Sequence, residues 1–328
     1  MKKRYEELDL LKGWAMILVY LGHCFQLGGI NITGNIFSNF YIHESIYSFH
    51  MPLFFIISGF LSNSSKEIEF RSFYKGKITR LLIPYLFINL MDYIPRTLFP
   101  NLVNSKFEGI GELLLNGTKI SWFVYTLFIL FMIFPFLDKY ILKKDKYCLF
   151  GGVLLILNYI GVFSNIRIFS INTVIYYLIY FYLGYMIKEK IINKEYSQLF
   201  IEKKLFLVVL IIFIFLAYKY YTLNLFTYII FAIIGSLVSL NLVVRIKKYN
   251  KIINFLKFIG VNSLTFYLLE GFISVVYRIL LVRIIPLEYN NILVGSFFFL
   301  KVITGYLVIK YIITKSSILS FLLGARKE

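Results

Sequence analysis

Lys12 and His23 stand eleven residues apart in an apolar stretch that reads Leu8-Asp9-Leu10-Leu11-Lys12-Gly13-Trp14-Ala15 and continues to Gly22-His23-Cys24-Phe25. At roughly 100° per residue, eleven residues make about three turns, so both side chains leave a helix from nearly one face, about 16 Å apart along its axis. A cation of this kind can hold an anionic group. A neutral imidazole can take a proton from a hydroxyl as a general base. His50 stands beside Pro52 in Phe49-His50-Met51-Pro52-Leu53-Phe54-Phe55-Ile56-Ile57-Ser58-Gly59-Phe60. The proline frees a backbone carbonyl inside that helix, and Ser58 and Gly59 are small enough for close helix approach. Glu270 sits in Tyr267-Leu268-Leu269-Glu270-Gly271, deep in another apolar run. An acidic side chain at that depth costs on the order of 3 kcal/mol to insert, so it needs a partner. His23, Arg278 or its own proton would serve.

Elements long enough to cross a bilayer must carry these groups. Of the 328 residues, 59% are hydrophobic and only 16% charged, and the mean hydropathy is +0.76. A soluble core does not need that much apolar surface, so the composition predicts an all-α polytopic membrane protein. Apolar runs recur about ten times at spanning length, over roughly 8–28, 45–63, 81–99, 120–138, 147–164, 170–188, 204–219, 223–244, 260–283 and 291–313. Lys and Arg cluster in alternate loops: Lys2 to Arg4, Lys66 to Arg80, Lys139 to Lys146, Lys188 to Lys204, Arg245 to Lys257 and the tail from Lys315. Gly29 to Glu44 carries none. With about ten helices, all the basic loops fall on one side, which predicts that both termini are cytoplasmic and that the chain is a multi-pass protein of the plasma membrane.

The formal net charge of +18 is then read as orientation and contact with anionic lipid. It does not point to nucleic acid, because the cations lie in short loops and not on one soluble face. Cys24 and Cys148 lack paired spacing, so neither a disulfide nor a zinc motif is expected, and no metal is expected elsewhere. Met1-Lys2-Lys3-Arg4 before an apolar run imitates a signal peptide. Asp9 and Lys12 interrupt that run and no small-residue cleavage pattern follows, so it reads as a retained helix. A segment of about 64–80 places Ile68, Phe70, Phe73, Tyr74 and Ile78 at near-helical spacing among cations. It is expected to lie along the cytoplasmic surface.

With the first helix entering from the cytoplasm, His23 lies about 20 Å into a core about 30 Å thick. Asp9, one turn before Lys12, is spaced to pair with it. Asn89, Asp92 and Arg96 in the third span and Trp122 at the head of the fourth add polar groups at membrane depth. Asp92 and Arg96 are spaced i,i+4 and can neutralise each other.

Three motifs together resemble the acyltransferase-3 family. They are Asp9-x-x-Lys12-Gly13 with His23, the run Phe49 to Phe60, and Lys77-x-x-Arg80-Leu81-x-x-Pro84-Tyr85. Weaker echoes are Trp122-Phe123, Phe181-Tyr182-Leu183-Gly184-Tyr185 and Gly260-x-Asn262-Ser263-Leu264-x-x-Tyr267-Leu268. The resemblance implies a single transmembrane acyltransferase domain over 1–328 with a ten-helix core. It implies that an acyl group, usually acetyl, moves from cytoplasmic acyl-CoA, the donor substrate, to a hydroxyl. The implied acceptor is an envelope polysaccharide, a lipid-linked sugar or a small glycoconjugate. Carried onto this sequence, the motif's basic residue and histidine fall on Lys12 and His23. The positions of the residues themselves give the rest of the expected site. His23 is the base, with Glu270 and His50 in the catalytic set. Lys77 and Arg80 join Lys12 in holding coenzyme A, and Asn89, Asp92 and Trp122 meet the acceptor. Two positions depart from the common pattern. Lys12 replaces an arginine, which turns a bidentate phosphate contact into a point charge. Glu270 stands where many members have histidine. A transporter of a small solute or acylated precursor, or a non-catalytic partner of a polysaccharide synthesis complex, would share the intramembrane polar groups, but no inverted repeat is visible.

Overall fold

The computed structural model describes residues 5–24, 36–62, 69–98, 111, 121–140, 147–161, 168–191, 203–219, 225–246, 249–284 and 291–326. Among them every regular element is helical. Each of the ten stretches expected from the apolar runs contains a helix among its described residues. Among the described residues, four helices are long and apolar enough to cross a membrane, Trp122–Tyr140, Ile168–Lys188, Thr227–Ile246 and Gly295–Ile313, or five if the bent pair Asn250–Val261 and Ser263–Tyr277 is one span.

The chain divides into two compact units. The first comprises Met1–Ile57 and Lys188–Ile312. It contains α1 (Glu6–Cys24) and most of α2 (Ile36–Phe60). Their companions α8 (Lys203–Lys219), α9 (Leu225–Ile246), α10 (Asn250–Val261), α11 (Ser263–Ile284) and α12 (Asn291–Val308) follow later in the chain. Glu6, Glu7 and Asp9 in the first turn of α1 complement the positive end of its macrodipole. Leu18, Ile46, Phe49, Phe213 and Phe231 pack as one buried apolar cluster joining α1, α2, α8 and α9.

The closest approach in this unit is between α1 and α10. A Cβ at Gly13 would stand 2.1 Å from the Leu256 carbonyl oxygen, and a Cβ at Gly260 would stand 1.7 Å from that of Asp9. Only glycine fits either position, so these two residues let the backbones touch. At the start of the expected span 260–283 the helix breaks at Asn262, and the arms on either side, Asn250–Val261 and Ser263–Tyr277, are bent by 84°. Asn262 is buried, and its amide and backbone nitrogen both donate to the Phe258 carbonyl, ending α10. Its own carbonyl accepts from Phe266 N and so starts α11. The residue closes one helix and opens the next without leaving the buried layer.

The second unit comprises Ser58–Ile187 and Ile313–Glu328. The basic segment forms α3 (Phe70–Lys77), helical as its spacing predicts. A π-helical turn over Ile78–Leu82 leads into α4 (Ile83–Leu98). The turn lies just ahead of Pro84, whose missing N–H leaves the upstream hydrogen-bond ladder one donor short. Then come α5 (Trp122–Tyr140), α6 (Tyr147–Ile160), α7 (Ile171–Ile191) and the short α13 (Ser317–Leu323). Ser316 caps α13 by accepting from Leu319 N, and Gly324 ends it at φ 69°. Gly59 meets the backbone of Phe181, with a Cβ there only 1.8 Å from the carbonyl oxygen.

Candidate active site

Two rungs join α1 to α11. Tyr20 donates its phenolic hydrogen to the Phe266 carbonyl at 3.1 Å. One turn further along each helix, His23 Nδ1 meets Glu270 Oε2 at 2.7 Å. The i,i+3 spacing of Tyr20 and His23 and the i,i+4 spacing of Phe266 and Glu270 keep both pairs on the facing surfaces. The first rung fixes the register of the second.

Glu270 is buried, at 4% exposure, yet every lone pair that needs a partner has one. Its Oε2 accepts from His23, while Oε1 accepts from Ser274 Oγ at 2.7 Å and from Lys301 Nζ. Lys301 comes from α12 and has no exposed surface. Its ammonium sits 5.0 Å from the centre of the Phe297 ring and 5.5 Å from that of Tyr20. The carboxylate and the two ring faces replace the water that a buried cation loses. Lys301 and Glu270 therefore balance each other's charge. His23 then faces a carboxylate that acts as an acceptor. This puts the hydrogen of the neutral ring on Nδ1 and leaves the lone pair on Nε2. The side chain of His23 is 35% exposed, so the ring keeps an open flank. An imidazole oriented by a carboxylate, on a side chain that is partly exposed, could act as a general base.

Lys301 was not among the residues singled out by the sequence. The signal was present: a lone cation in Phe297-Phe298-Phe299-Leu300-Lys301-Val302, inside an expected span. The insertion-cost reasoning applied to Glu270 applies equally to it. Arg278, offered as an alternative partner for Glu270, has its side chain outside the described residues.

The other expected site residues distribute as follows. Asp9 and Lys12 form the anticipated i,i+3 pair at 2.7 Å on α1. His50 is buried, and its Nδ1 donates to the Ile46 carbonyl at 2.7 Å. His50 thus helps satisfy the α2 backbone and keeps Nε2 as an acceptor. These three belong to the first unit with His23 and Glu270.

Lys77, Arg80, Asn89, Asp92 and Trp122 belong to the second unit. Lys77 Nζ lies 3.1 Å from the centre of the Phe131 ring and 5.2 Å from that of Phe73. Arg80 is exposed, and Asp92 is half-buried. The Asn89 amide donates to the Tyr85 carbonyl and to Ser121 Oγ, each at 2.7 Å. Trp122 is half-buried, its ring 5.3 Å from that of Tyr177. The Arg96 side chain lies outside the described residues, as does that of Cys148. Cys24 is a free, buried thiol that donates to the Tyr20 carbonyl at 3.1 Å. No group of three His, Cys, Asp or Glu side chains among the described residues could hold a metal ion.

The acyltransferase-3 family model, described as an acyltransferase domain, matches residues 5–311. The chain belongs to the acyltransferase-3 family. Among curated relatives, this acyltransferase-3 chain is similar to nodulation protein NolL of Sinorhizobium fredii, with 41% identity over 80 residues. That match takes in 24% of this chain and 22% of the relative. It is also similar to nodulation protein NolL of Mesorhizobium japonicum, with 31% identity over 137 residues, 40% of this chain and 35% of the relative. The chain therefore spans about a third or less of the length of these relatives in the matched regions. No solved structure matches it. Within this acyltransferase-3 chain, the two motif glycines Gly13 and Gly260 have a physical role: they seat α10 against α1.

Proposed function

We propose that this chain is an integral-membrane O-acyltransferase that moves an acyl group, acetyl in the simplest form, from cytoplasmic acyl-CoA to a hydroxyl of an envelope carbohydrate or glycoconjugate. The observation that carries this reading is the chain of contacts from buried Lys301 through buried Glu270 to His23, whose imidazole is partly exposed. About ten spans with both termini cytoplasmic put Lys12 near the inner face and His23 about 16 Å deeper along the same helix face. Coenzyme A has matching proportions: charged phosphates at one end and a thioester at the tip of a long arm. Lys12 binds the phosphates, and the Asp9 carboxylate holds it in place.

In the reaction, the acceptor oxygen attacks the thioester carbonyl carbon as its proton passes to His23 Nε2. The tetrahedral centre then collapses. The C–S bond breaks, the sulfur leaves as thiolate and takes the proton from Nε2, and an ester and free coenzyme A result. Glu270 holds the ring in the tautomer that accepts at Nε2 and stabilises the imidazolium that forms. Lys301 keeps that carboxylate in place. Asn89, Asp92 and Trp122 bind the acceptor. His50 supports the site from α2.

The test uses membranes of producing cells supplied with labelled acetyl-CoA, counting released thiol and label in the carbohydrate fraction. His23→Ala should abolish both while the protein still accumulates in the membrane. Normal turnover by this variant would remove His23 as the base. Labelled carbohydrate crossing the membrane without thiol release would favour a transporter.

A further inference from the structure

The chain has three histidines, and all of them surround one tyrosine. Tyr47 lies on α2. Its ring stacks on His43 at 4.0 Å between centres, meets His50 edge-on at 4.9 Å and tilts against His23 at 6.4 Å. It also presses on α1. A Cβ at Gly22 would stand 2.8 Å from Tyr47 Cε2, so the residue preceding His23 must be small for the ring to sit there. His43 Nδ1 is engaged with Glu44 Oε1 at 3.1 Å, and His50 Nδ1 with the Ile46 carbonyl. The ring is therefore fixed on several sides by groups that are themselves fixed.

The hydroxyl at the end of this fixed ring is buried and has no hydrogen-bond partner among the described residues. Buried polar atoms nearly always have one. Tyr20, on the adjoining helix, gives the ordinary case, with its hydroxyl bonded to the Phe266 carbonyl. A sheltered donor with no partner among the described residues, on a ring packed against that of His23, has the character of a group that meets a substrate atom once the site is filled.

We propose that the Tyr47 hydroxyl donates a hydrogen bond to the carbonyl oxygen of the thioester bound at His23. This rests on the reading of His23 as the base. As the acceptor oxygen attacks, the carbonyl π pair moves onto that oxygen, and the Tyr47 O–H stabilises the resulting oxyanion without giving up its proton. When the carbonyl re-forms and the C–S bond breaks, the hydrogen bond relaxes. A neutral donor suits this position, because the charge it meets exists only in the tetrahedral stage.

Tyr47→Phe removes the hydroxyl and keeps the ring. In membranes supplied with labelled acetyl-CoA, the variant should lose about 10²-fold in kcat, the usual effect of deleting one oxyanion donor. KM for acetyl-CoA should stay within about twofold of the wild type. The melting temperature of the purified protein should hold or rise, because the deleted group has no partner among the described residues to lose. Full kcat would overturn the proposal. So would a lowered melting temperature accompanying the loss, which would make the hydroxyl structural. His23→Ala is measured in parallel. If it stays active, the reading of the site falls. If it is inactive while Tyr47→Phe is fully active, only the assignment to Tyr47 falls.

Discussion

The two units bury polar groups by different means. In the first, the interior is ionic: Asp9 with Lys12 on one helix, and Lys301, Glu270 and His23 in line across three. In the second, the contacts among the described residues include amide, hydroxyl and aromatic ones, and Lys77 sits over the Phe131 ring. Asn89 bonds to Ser121 and a carbonyl, Tyr85 packs on Tyr125, Trp122 lies against Tyr177, and Phe134 sits between Phe181 and Tyr185. Even Asp138 in this unit is met by a phenol, Tyr185, at 2.7 Å. Charges in an apolar interior cost far more than amides or rings, so a protein retains them where a proton or a charge must move. Aromatic faces and amide groups instead suit the recognition of a neutral polyhydroxyl molecule. Under the proposed function, bond-making would fall to the first unit and acceptor binding to residues of the second.

The strongest test of that division is His23→Ala. It should lower kcat by about 10³-fold, within the range for loss of a general base, while the protein still folds. The measurement is thiol release against membrane-protein yield. Lys301→Met comes next. It leaves Glu270 as an uncompensated buried charge and should cost about 3 kcal/mol of stability, seen as a lower melting temperature in detergent. Adding Glu270→Gln should recover much of the stability but none of the activity. Recovery of both would show that the ionic line is packing alone.

Trp122→Ala is expected to raise KM for the carbohydrate acceptor by about tenfold with kcat little changed. A fall in kcat as steep as that of His23→Ala would collapse the distinction between the units. The smallest effect is expected from Lys12→Ala. Its ammonium is partly solvated and already paired with Asp9, so KM for acetyl-CoA should rise only about fivefold. An unchanged KM would make Lys12 a structural partner of Asp9.

Much of this arrangement is legible in the residues. The apolar runs mark where the helices lie, because the span length and the helical period are local properties. The Asp9–Lys12 pair follows from i,i+3 spacing alone. The cost of placing a carboxylate in an apolar run singles out Glu270 and requires a partner for it. The break at Asn262 was not legible, since apolar character continues across it and the hydrogen bonds that permit it are made by one buried amide. Lys301 and Tyr47 were overlooked for a different reason. Each sits in an unremarkable apolar helix, and its meaning depends on what faces it.

The sequence by itself determined an apolar, helical chain of the acyltransferase-3 family and the face of α1 that carries Lys12 and His23. Tertiary structure alone decided which partner Glu270 takes from residues up to 247 positions away, and that a lysine on α12 completes the line. It also decided that three histidines converge on one phenol. The reason is that helical periodicity fixes how a side chain leaves its own helix, whereas the helix opposite is selected by close approaches, such as Gly13 on Leu256 and Gly260 on Asp9, that no local pattern encodes.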